Sequence, residues 1–273
     1  MEDVTSSPPG GSTAPAARSG LVLSLFPGIG LLDMAFEEAG FCVVRGPDLL
    51  WGGDVRSFNP PAGKFDGVIG GPPCQSHSPL MWLNRAQGVA PKHPDMTPEY
   101  SRVVAAAQPR WFLMENSPYV PTPDVPGYTV TRNVLNNRWL GELQNRERVF
   151  CFGSADGAWL HFETSTFDAI DTEPAVLASE LTKGKPLGTR QRSPRKRTLP
   201  ELAELQGLPR DFLEEAPFTV EGKCRVIGNG VPLPMGRAVA AAVVRALDTS
   251  LRAERSRAAV PAKASAPNKS EVS

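Results

Sequence analysis

Cysteine and histidine are scarce in this chain of 273 residues, and they do not cluster. The four cysteines and three histidines are Cys42, Cys74, Cys151, Cys224, His77, His93 and His161. Zinc sites need ligands at short spacing, and a disulfide framework is typical of small secreted chains with many cysteines. The sequence therefore predicts neither a metal site nor disulfide bonds.

Long apolar runs and a secretion signal are also lacking. No run reaches the roughly 18 apolar residues that a membrane helix needs. The first twenty residues, MEDVTSSPPGGSTAPAARSG, have no basic start followed by an apolar stretch, so they do not resemble a signal peptide. Apolar residues make up 41% of the chain, an ordinary globular value. We expect a cytoplasmic, monomeric protein with no membrane partner.

Net charge is zero, so the overall charge does not point to a nucleic-acid partner. One local run differs, because it carries seven basic residues and no acid. These residues are Lys183, Lys185, Arg190, Arg192, Arg195, Lys196 and Arg197. Such a run is either a solvated loop or a set of contacts to phosphate groups.

Short apolar segments alternate with segments of helical spacing along the chain. The predicted strands are LVLSLF, FCVV, DGVIGG, WFLME and RVFCFG. The predicted helices are LLDMAFEEAG with Gly40 as C-cap, Thr97 to about Ala107 with Thr97 as N-cap, a helix with a Thr198 and Glu201 capping box, and MGRAVAAAVVRAL. This alternation predicts an α/β fold with a mostly parallel sheet that helices cover on both faces.

Composition also divides the chain. Residues 1–20 and 251–273 are rich in small and turn-forming residues, so we expect disordered arms. Residues 154–194 show little periodicity and interrupt the pattern of strands and helices. We therefore expect a main domain formed by residues 21–153 and 195–250, with a small inserted region between the two parts.

Two motifs follow predicted strands, at the edge of the sheet where α/β proteins bind ligands. Phe26-Pro27-Gly28-Ile29-Gly30 is either a ligand-binding turn or a structural one. Gly70-Gly71-Pro72-Pro73-Cys74-Gln75 places a cysteine after two prolines, which fix the backbone outside regular structure. A free cysteine is usually a core residue, but this position favours a nucleophile.

Two further groups of polar residues lie at predicted strands. Glu115 follows the apolar WFLM run and either caps a loop or acts as an acid whose pKa is tuned by burial. Gln144, Arg146 and Arg148 alternate at the start of a strand, so we expect them on one face. That face is either a surface edge or a polar wall of the site.

Together these motifs resemble the DNA (cytosine-5) methyltransferase family over residues 21 to 248. The motifs that carry the resemblance are LFPGIG, GGPPCQ, ENS, QNRER, RKRTLPELAELQGLP and IGNGV. The resemblance implies a Rossmann-like S-adenosylmethionine methyltransferase fold. Residues 21–153 would bind the cofactor and carry out catalysis, residues 154–194 would form a target-recognition region, and residues 195–250 would complete the catalytic domain.

The resemblance also implies roles for individual residues. The cofactor would be S-adenosylmethionine, and the partner would be double-stranded DNA with a flipped cytosine. The implied catalytic residues are Cys74, Glu115, Arg146, Arg148 and Pro73. The implied cofactor-binding residues are Phe26, Gly28, Gly30, Asp48, Asp54, Pro72, Asn229 and Val231. The implied DNA-binding residues are Gln75, Arg190, Arg192, Arg195, Lys196, Arg197 and Thr198.

The chain departs from the family pattern in three ways. The segment after FCVV is short, so Asp48 stands in for the usual ribose-binding acid, and His77 stands where an aromatic residue is usual. The short recognition region predicts a short target or loose specificity. The alternatives are the same chemistry on tRNA, a catalytically silent DNA-binding homologue, or an altered cofactor. A zinc deaminase is excluded, because no His-x-Glu precedes the cysteine.

Overall fold

A computed structural model describes residues 20–73, 77, 88, 94–164, 172–180 and 197–258. Its strands are β1 Leu21–Leu25, β2 Cys42–Arg45, β3 Gly67–Gly70, β4 Trp111–Asn116, β5 Thr129–Asn136, β6 Gln144–Asn145, β7 Glu147–Ser154 and β8 Glu173–Pro174. Its α-helices are α1 Leu31–Glu38, α2 Thr97–Ala107, α3 Leu199–Leu205, α4 Val220–Asn229 and α5 Leu233–Ala258.

Six of these strands form one sheet in the order β2-β1-β3-β4-β7-β5. The first four run parallel, whereas β7 pairs antiparallel with both β4 and β5. Strands β6 and β8 form a separate parallel pair. The predicted α/β fold with a mostly parallel sheet is therefore confirmed. The antiparallel strand β5 was not predicted, because its half-exposed residues form no apolar run.

Alternating side chains of the sheet pack into two separate layers. On β4, Trp111 and Leu113 face a cluster that includes Phe36 of α1 and Val239 of α5. The neighbouring Phe112 and Met114 face the opposite cluster, which contains α2. Each layer removes a row of large side chains from water, and this burial is the main driving force for such a sandwich. Helices thus cover both faces of the sheet, as predicted.

A third apolar cluster lies beside the sheet. It joins Leu31 of α1 to Leu202 of α3, Ile227 of α4 and Val176 from the segment 172–180. Helix α4 was not predicted, because its sequence VEGKCRVIGN has few apolar residues. This cluster brings the end of α4 next to the start of α1, where the sheet also ends.

The boundaries of two predicted elements need correction. Helix α2 has Met96 as its N-cap, not Thr97, and the Asp95 side chain accepts a hydrogen bond from Thr97 N at 2.9 Å. Helix α5 continues to Ala258, so the predicted disordered tail from residue 251 begins too early. The predicted capping box of Thr198 and Glu201 at α3 is confirmed.

Within the described residues, one helical stretch, Val220–Ser256, is long and apolar enough to span a membrane by length and composition. This stretch includes α4 and α5, and 56% of its most apolar window is buried. Met235, Val239 and Val243 of α5 pack against the sheet. Its apolar character is therefore that of a core helix.

Candidate active site

A cavity of about 430 Å³ opens at the carboxyl ends of the parallel strands. Most of its wall comes from residues 24–29 and 31–33, the loop 70–73, the strand end 115–117 and the loop 228–231, and Asp48, Leu50, Arg148, Arg225 and Val226 complete it. Residues of the motifs LFPGIG, GGPPCQ, ENS and IGNGV thus meet at one place. This is the edge at which open α/β sheets bind ligands.

The glycine-rich turn of the cavity has an unusual backbone. Phe26 has φ of 54° and Gly28 has φ of 56°, so both lie in the left-handed region. For a bulky residue such as Phe26 this conformation is strained. The backbone N–H of Phe26 donates to the Pro47 carbonyl at 3.4 Å. The strained turn places Phe26 in the wall of the cavity.

Gly30 closes this turn as the N-cap of α1, with φ of 82°. A Cβ atom at this position would lie 2.5 Å from Nη2 of Arg45. The left-handed backbone favours glycine here, and a Cβ would also displace the end of the Arg45 side chain. The turn cannot take a larger residue here without moving Arg45.

Asp48 connects the loop after β2 to the glycine-rich turn. Its Oδ2 accepts from Gly28 N at 2.9 Å, and its Oδ1 accepts from Leu50 N at 2.7 Å. The indole N–H of Trp51 donates to Gly28 O at 2.7 Å, which adds a second link. Asp48 lines the cavity, and its role towards a cofactor stays a prediction.

A second cavity of about 280 Å³ adjoins the first and shares Phe26, Asp48 and Pro73 with it. Asp54 lines this smaller cavity. Its carboxylate pairs with Arg56 at 2.6 Å, and the hydrogen bonds from Arg56 lower the pKa of Asp54 to about 2. Asp54 is therefore a permanently charged acceptor at this edge of the site.

Glu115 is the buried acid of the main cavity. It lies at the end of β4, is 8% exposed, and its Oε1 is 2.8 Å from Nε of Arg148. Burial raises the pKa of Glu115, while the charges of Arg148 and Arg146 oppose this effect. A Cβ at residue 71 would lie 2.8 Å from Glu115 Oε2, so Gly71 leaves room for the carboxyl group. The raised pKa makes the protonated form of Glu115 more accessible than that of an exposed glutamate, as a general acid requires.

The loop that precedes the predicted nucleophile is held in place. The Asn116 side-chain amide donates to Pro72 O at 3.0 Å, and Met96 N donates to Pro73 O at 3.3 Å. Pro72 and Pro73 line the cavity. Six predicted site residues lie outside the described residues, namely Cys74, Gln75, Arg190, Arg192, Arg195 and Lys196.

The sequence reasoning missed two polar residues of the cavity. Ser24 Oγ donates to Asp33 Oδ1 at 2.5 Å, and Arg45 Nε donates to Asp33 Oδ2 at 3.0 Å. Burial raises the pKa of Asp33, and these hydrogen bonds oppose it. One signal was available, because Ser24 is the polar residue within LVLSLF and Asp33 lies in the apolar first turn of α1.

The described residues contain no group of three or more His, Cys, Asp or Glu side chains that could hold a metal ion. Comparison with known proteins bears on what the cavity binds. A family model for C-5 cytosine-specific DNA methylase matches residues 52–186. The match covers residues 52–186, so nearly half of the chain is similar to this family. The matched range includes Pro72, Glu115 and Arg148 of the cavity. The glycine-rich turn and residues 228–231, which lie outside the matched range, also line this cavity.

Several Type II methyltransferases are similar to this chain in sequence. M.NgoPII of Neisseria gonorrhoeae is 27% identical over 191 residues, which cover 59% of this chain and 55% of the relative. M.FnuDI of Fusobacterium nucleatum is 32% identical over 161 residues, covering 48% and 46%. The chain thus spans about half the length of these two relatives. M.HaeII of Haemophilus aegyptius is 25% identical over 307 residues, covering 84% and 94%.

Solved structures share the fold of this chain. The Entamoeba histolytica methyltransferase EhMeth has a TM-score of 0.58 at 12% identity, covering 86% of this chain and 99% of that one. The S. pombe Dnmt2 methyltransferase has a TM-score of 0.58 at 13% identity, covering 85% and 99%. These likenesses support the predicted Rossmann-like methyltransferase fold.

Two arginines of the C-5 methylase motifs do not have their predicted positions. Arg146 lies between β6 and β7, so the prediction that one strand carries Gln144, Arg146 and Arg148 on one face is wrong. Arg146 is 2% exposed and donates to backbone carbonyls, and it is not part of the cavity wall. The chain turns at Arg146, because Arg146 N bonds Gln144 O at 3.1 Å.

Arg197 is the second correction, because it was predicted to contact DNA. It is 1% exposed, its Nε is 2.5 Å from Glu180 Oε1, and its Nη1 is 3.6 Å from Glu173 Oε2. A buried guanidinium with carboxylate partners has a structural role and cannot reach a phosphate. Thr198 is exposed, but its hydroxyl donates to Glu201 at 2.9 Å within the capping box.

Proposed function

We propose that the protein transfers a methyl group from S-adenosylmethionine to carbon 5 of cytosine in double-stranded DNA. One observation carries the proposal: a single cavity contains the strained glycine-rich turn, the buried Glu115–Arg148 pair, and the two prolines that precede Cys74. A ligand site and an acid of raised pKa thus share one space. In this arrangement a methyl donor bound at the turn would lie close to a base whose ring nitrogen Glu115 could protonate.

The cavity residues fit the proposed cofactor chemically. S-adenosylmethionine carries a positive sulfonium and an ammonium group, and the wall of the cavity includes the carboxyl groups of Asp33, Asp48 and Glu115. The ring of Phe26 offers a face for adenine, and the acceptor Asp54 lines the adjoining cavity. Gly28, Gly30, Pro72, Asn229 and Val231 would complete the cofactor site.

The first chemical step assigns one role to each catalytic residue. The Cys74 thiolate adds to carbon 6 of a cytosine that has left the helical stack. Glu115 donates its proton to the ring nitrogen, so the ring electrons collect at carbon 5 instead of at the ring oxygen. Arg148 holds Glu115 through its Nε and faces the ring carbonyl, whose partial negative charge it stabilises. Pro73 shapes the loop.

The later steps restore the ring. Bound S-adenosylmethionine would supply the electrophilic methyl group: carbon 5 would take the methyl as the bond from the methyl carbon to the sulfonium sulfur breaks, and S-adenosylhomocysteine would be left. Water then removes the proton from carbon 5, and the electron pair of that C–H bond re-forms the 5,6 double bond. The bond between Cys74 sulfur and carbon 6 breaks, so the thiolate leaves and the ring nitrogen loses its added proton to Glu115. Each residue therefore returns to its starting state.

The relatives favour DNA as the substrate, since several are Type II methyltransferases and the matching family is named for DNA. We infer that residues 154–194 read the target and that Arg190, Arg192, Arg195 and Lys196 contact phosphates. A monomer in the cytoplasm would suffice, because one chain holds all the proposed catalytic residues.

Covalent trapping tests this proposal directly. The protein is incubated with S-adenosylmethionine and a duplex that contains 5-fluorocytosine, whose carbon 5 carries a fluorine in place of the proton that the last step removes. We expect a stable adduct with wild-type protein and with the control variant Cys42→Ser, whose cysteine is exposed, but none with Cys74→Ser. A tRNA of equal fluorocytosine content is the second substrate. An adduct on tRNA alone would contradict the DNA assignment, and no adduct on either would contradict catalysis.

A further inference from the structure

Three buried polar side chains take no part in the proposed chemistry: Gln144, Arg146 and Gln206. We name them the carbonyl clamp, because backbone carbonyls are their main partners. Gln144 and Gln206 are fully buried, and Arg146 is 2% exposed. Burial of three such polar groups is costly unless their hydrogen bonds are made. Their bonds therefore show what the clamp holds together.

One side of the clamp holds the loop that completes the cavity. Arg146 Nη2 donates to Gly228 O at 2.8 Å and to Gly230 O at 3.1 Å. Gln206 Nε2 donates to Ile227 O at 2.6 Å and to Gly230 O at 3.2 Å. These carbonyls surround Asn229 in the sequence, and residues 228–231 all line the cavity. The clamp therefore determines the backbone of the proposed cofactor-binding loop.

The other side of the clamp holds the segment 172–180, which lies in the proposed recognition region. Arg146 Nη1 donates to Val176 O at 2.7 Å, and Gln144 Oε1 accepts from Val176 N at 3.2 Å. Both main-chain polar groups of one residue are thus bound by the clamp. The N–H and C=O of Val176 would otherwise be buried without partners.

The two sides are joined to each other as well. Gln144 Nε2 donates to Gln206 Oε1 at 3.0 Å. A Cβ at Gly228 would lie 2.3 Å from Ala178 N, so the cavity loop and the segment 172–180 touch without space for a side chain. One guanidinium bonds both backbones, so a shift of either backbone would break a hydrogen bond to Arg146 or move the Arg146 side chain that holds the other backbone. Packed interfaces of this kind transmit displacement between sites.

Simple stabilisation does not account for the choice of residues. Burial lowers the pKa of Arg146 well below its ordinary value, which shows how unfavourable this environment is for a charge. Apolar residues of similar volume often stabilise a buried site better than charged ones. An arginine with three carbonyl acceptors instead fixes relative positions, since its planar fork accepts only one arrangement.

We propose that the carbonyl clamp makes cofactor binding and DNA binding interdependent, by holding the loop 227–231 and the segment 172–180 in one relative position. Its members are positioning residues, since they act through the backbone of the site and not on the reacting atoms. The inference rests on the proposed function. Linkage requires that the cofactor product raises the affinity for DNA by the same factor by which DNA raises the affinity for the product.

The experiment measures binding rather than turnover. Titration calorimetry gives the Kd of S-adenosylhomocysteine, and fluorescence anisotropy gives the Kd of a duplex with and without it. In wild-type protein we expect the product to tighten DNA binding at least fivefold, within the usual range of coupled sites. Gln206→Met removes the donors to the cavity loop and keeps the side-chain volume. This variant should raise the Kd of S-adenosylhomocysteine at least tenfold. The coupling factor, which is the ratio of the Kd for DNA without and with S-adenosylhomocysteine, should fall close to one.

Gln144→Met separates the two sides of the clamp. It leaves Arg146 and Gln206 on the cavity loop but removes the acceptor of Val176 N and the link to Gln206. We expect the affinity for S-adenosylhomocysteine to stay within threefold of wild type, while the coupling factor falls towards one. The matched control is Arg210→Met, which removes an exposed side chain from the loop after α3 and should change neither quantity.

Each outcome is decisive for one claim. If both glutamine variants keep wild-type coupling, the clamp is only structural and the inference is overturned, whatever their thermal stability. If Gln206→Met does not fold, Gln144→Met with unchanged coupling overturns it in the same way. If wild-type protein binds neither S-adenosylhomocysteine nor DNA, the proposed function fails, and this result is distinguishable because it does not depend on any variant.

Discussion

Arg146 and Arg148 are two positions apart in one motif, yet they lie in different surroundings. The Arg148 side chain is 21% exposed, lines the cavity and pairs with the ionisable Glu115. Arg146 is 2% exposed and bonds the neutral carbonyls of Val176, Gly228 and Gly230. The difference arises because β6 ends at Asn145 and β7 begins at Glu147, so the chain turns between the two arginines.

This comparison separates two kinds of polar residue in the site. A residue that acts on a ligand needs access to a cavity. A residue that holds the backbone can be sealed from water when most of its donors are bonded, as in Arg146, whose Nη1 and Nη2 have carbonyl partners although its Nε has none. Arg197 belongs to the second kind, and Asp54 at the edge of the adjoining cavity belongs to the first. Substitutions of cavity-facing residues and of sealed residues should therefore have different consequences.

The largest expected effect is that of Glu115, which lines the cavity. Glu115→Gln keeps the shape of the side chain but removes the transferable proton, so the single-turnover rate of methyl transfer should fall about 100- to 10,000-fold. The control is Glu147→Gln, which changes an exposed acid on the adjacent strand and should leave the rate unchanged. A Glu115→Gln enzyme within tenfold of wild type would show that proton donation comes from elsewhere.

The next largest expected effect is that of the buried Arg197. Arg197→Met leaves Glu180 without its buried partner, and breaking such a pair costs about 3–5 kcal/mol in unfolding free energy. Arg210→Met removes an exposed pair with Glu204 and should leave the unfolding free energy unchanged. Urea unfolding measures both. A weaker and less salt-dependent DNA affinity for Arg197→Met at unchanged stability would instead support a phosphate contact.

The pH dependence of the unfolding free energy should report the buried Glu115 directly. Burial raises the folded-state pKa of Glu115 above 4.5, so the folded protein holds this proton more tightly than the unfolded chain. Wild type should therefore lose stability as the pH rises from 4.5 through the raised pKa, at a slope of at most about 1.4 kcal/mol per pH unit from this group.

Glu115→Gln removes this contribution, whereas Asp33, whose pKa burial also raises, contributes equally to both proteins. The difference between the two urea-derived stability curves therefore isolates Glu115. If the stability curves of wild type and Glu115→Gln run parallel above pH 4.5, the pKa of Glu115 is not raised in the folded protein.

The smallest expected effect is at Asp54. Asp54→Asn keeps an oxygen acceptor but removes the charge, so the Kd of S-adenosylhomocysteine should rise by about tenfold or less, as for one charged hydrogen bond. The thermal midpoint should not change, because the pair with Arg56 is exposed. Calorimetry with Arg56→Gln as control checks this. Equal weakening in both variants would mean that the ion pair, and not the Asp54 carboxylate, matters to the ligand.

Much of the fold could be predicted because its strands are apolar runs that are buried on both faces, as in β3 and β4. Strand β5 and helix α4 escaped prediction for the opposite reason. Half of β5 faces solvent at the edge of the sheet, and α4 owes its burial to Leu31 and Leu202 from distant parts of the chain. Such elements form through tertiary contacts that local patterns do not contain.

By itself, the sequence determined the positions at which the chain must turn at the sheet edge, through Gly28, Gly30, Pro72 and Pro73. It also placed Glu115 at the end of a buried strand, since hydrophobic periodicity and turn chemistry are local properties. Tertiary structure alone decided that Arg148 faces the cavity while Arg146 and Arg197 are sealed. The physical reason is that burial and hydrogen-bond partners come from residues far apart in the chain, such as Val176 and Gly228, which meet Arg146 only in the folded protein.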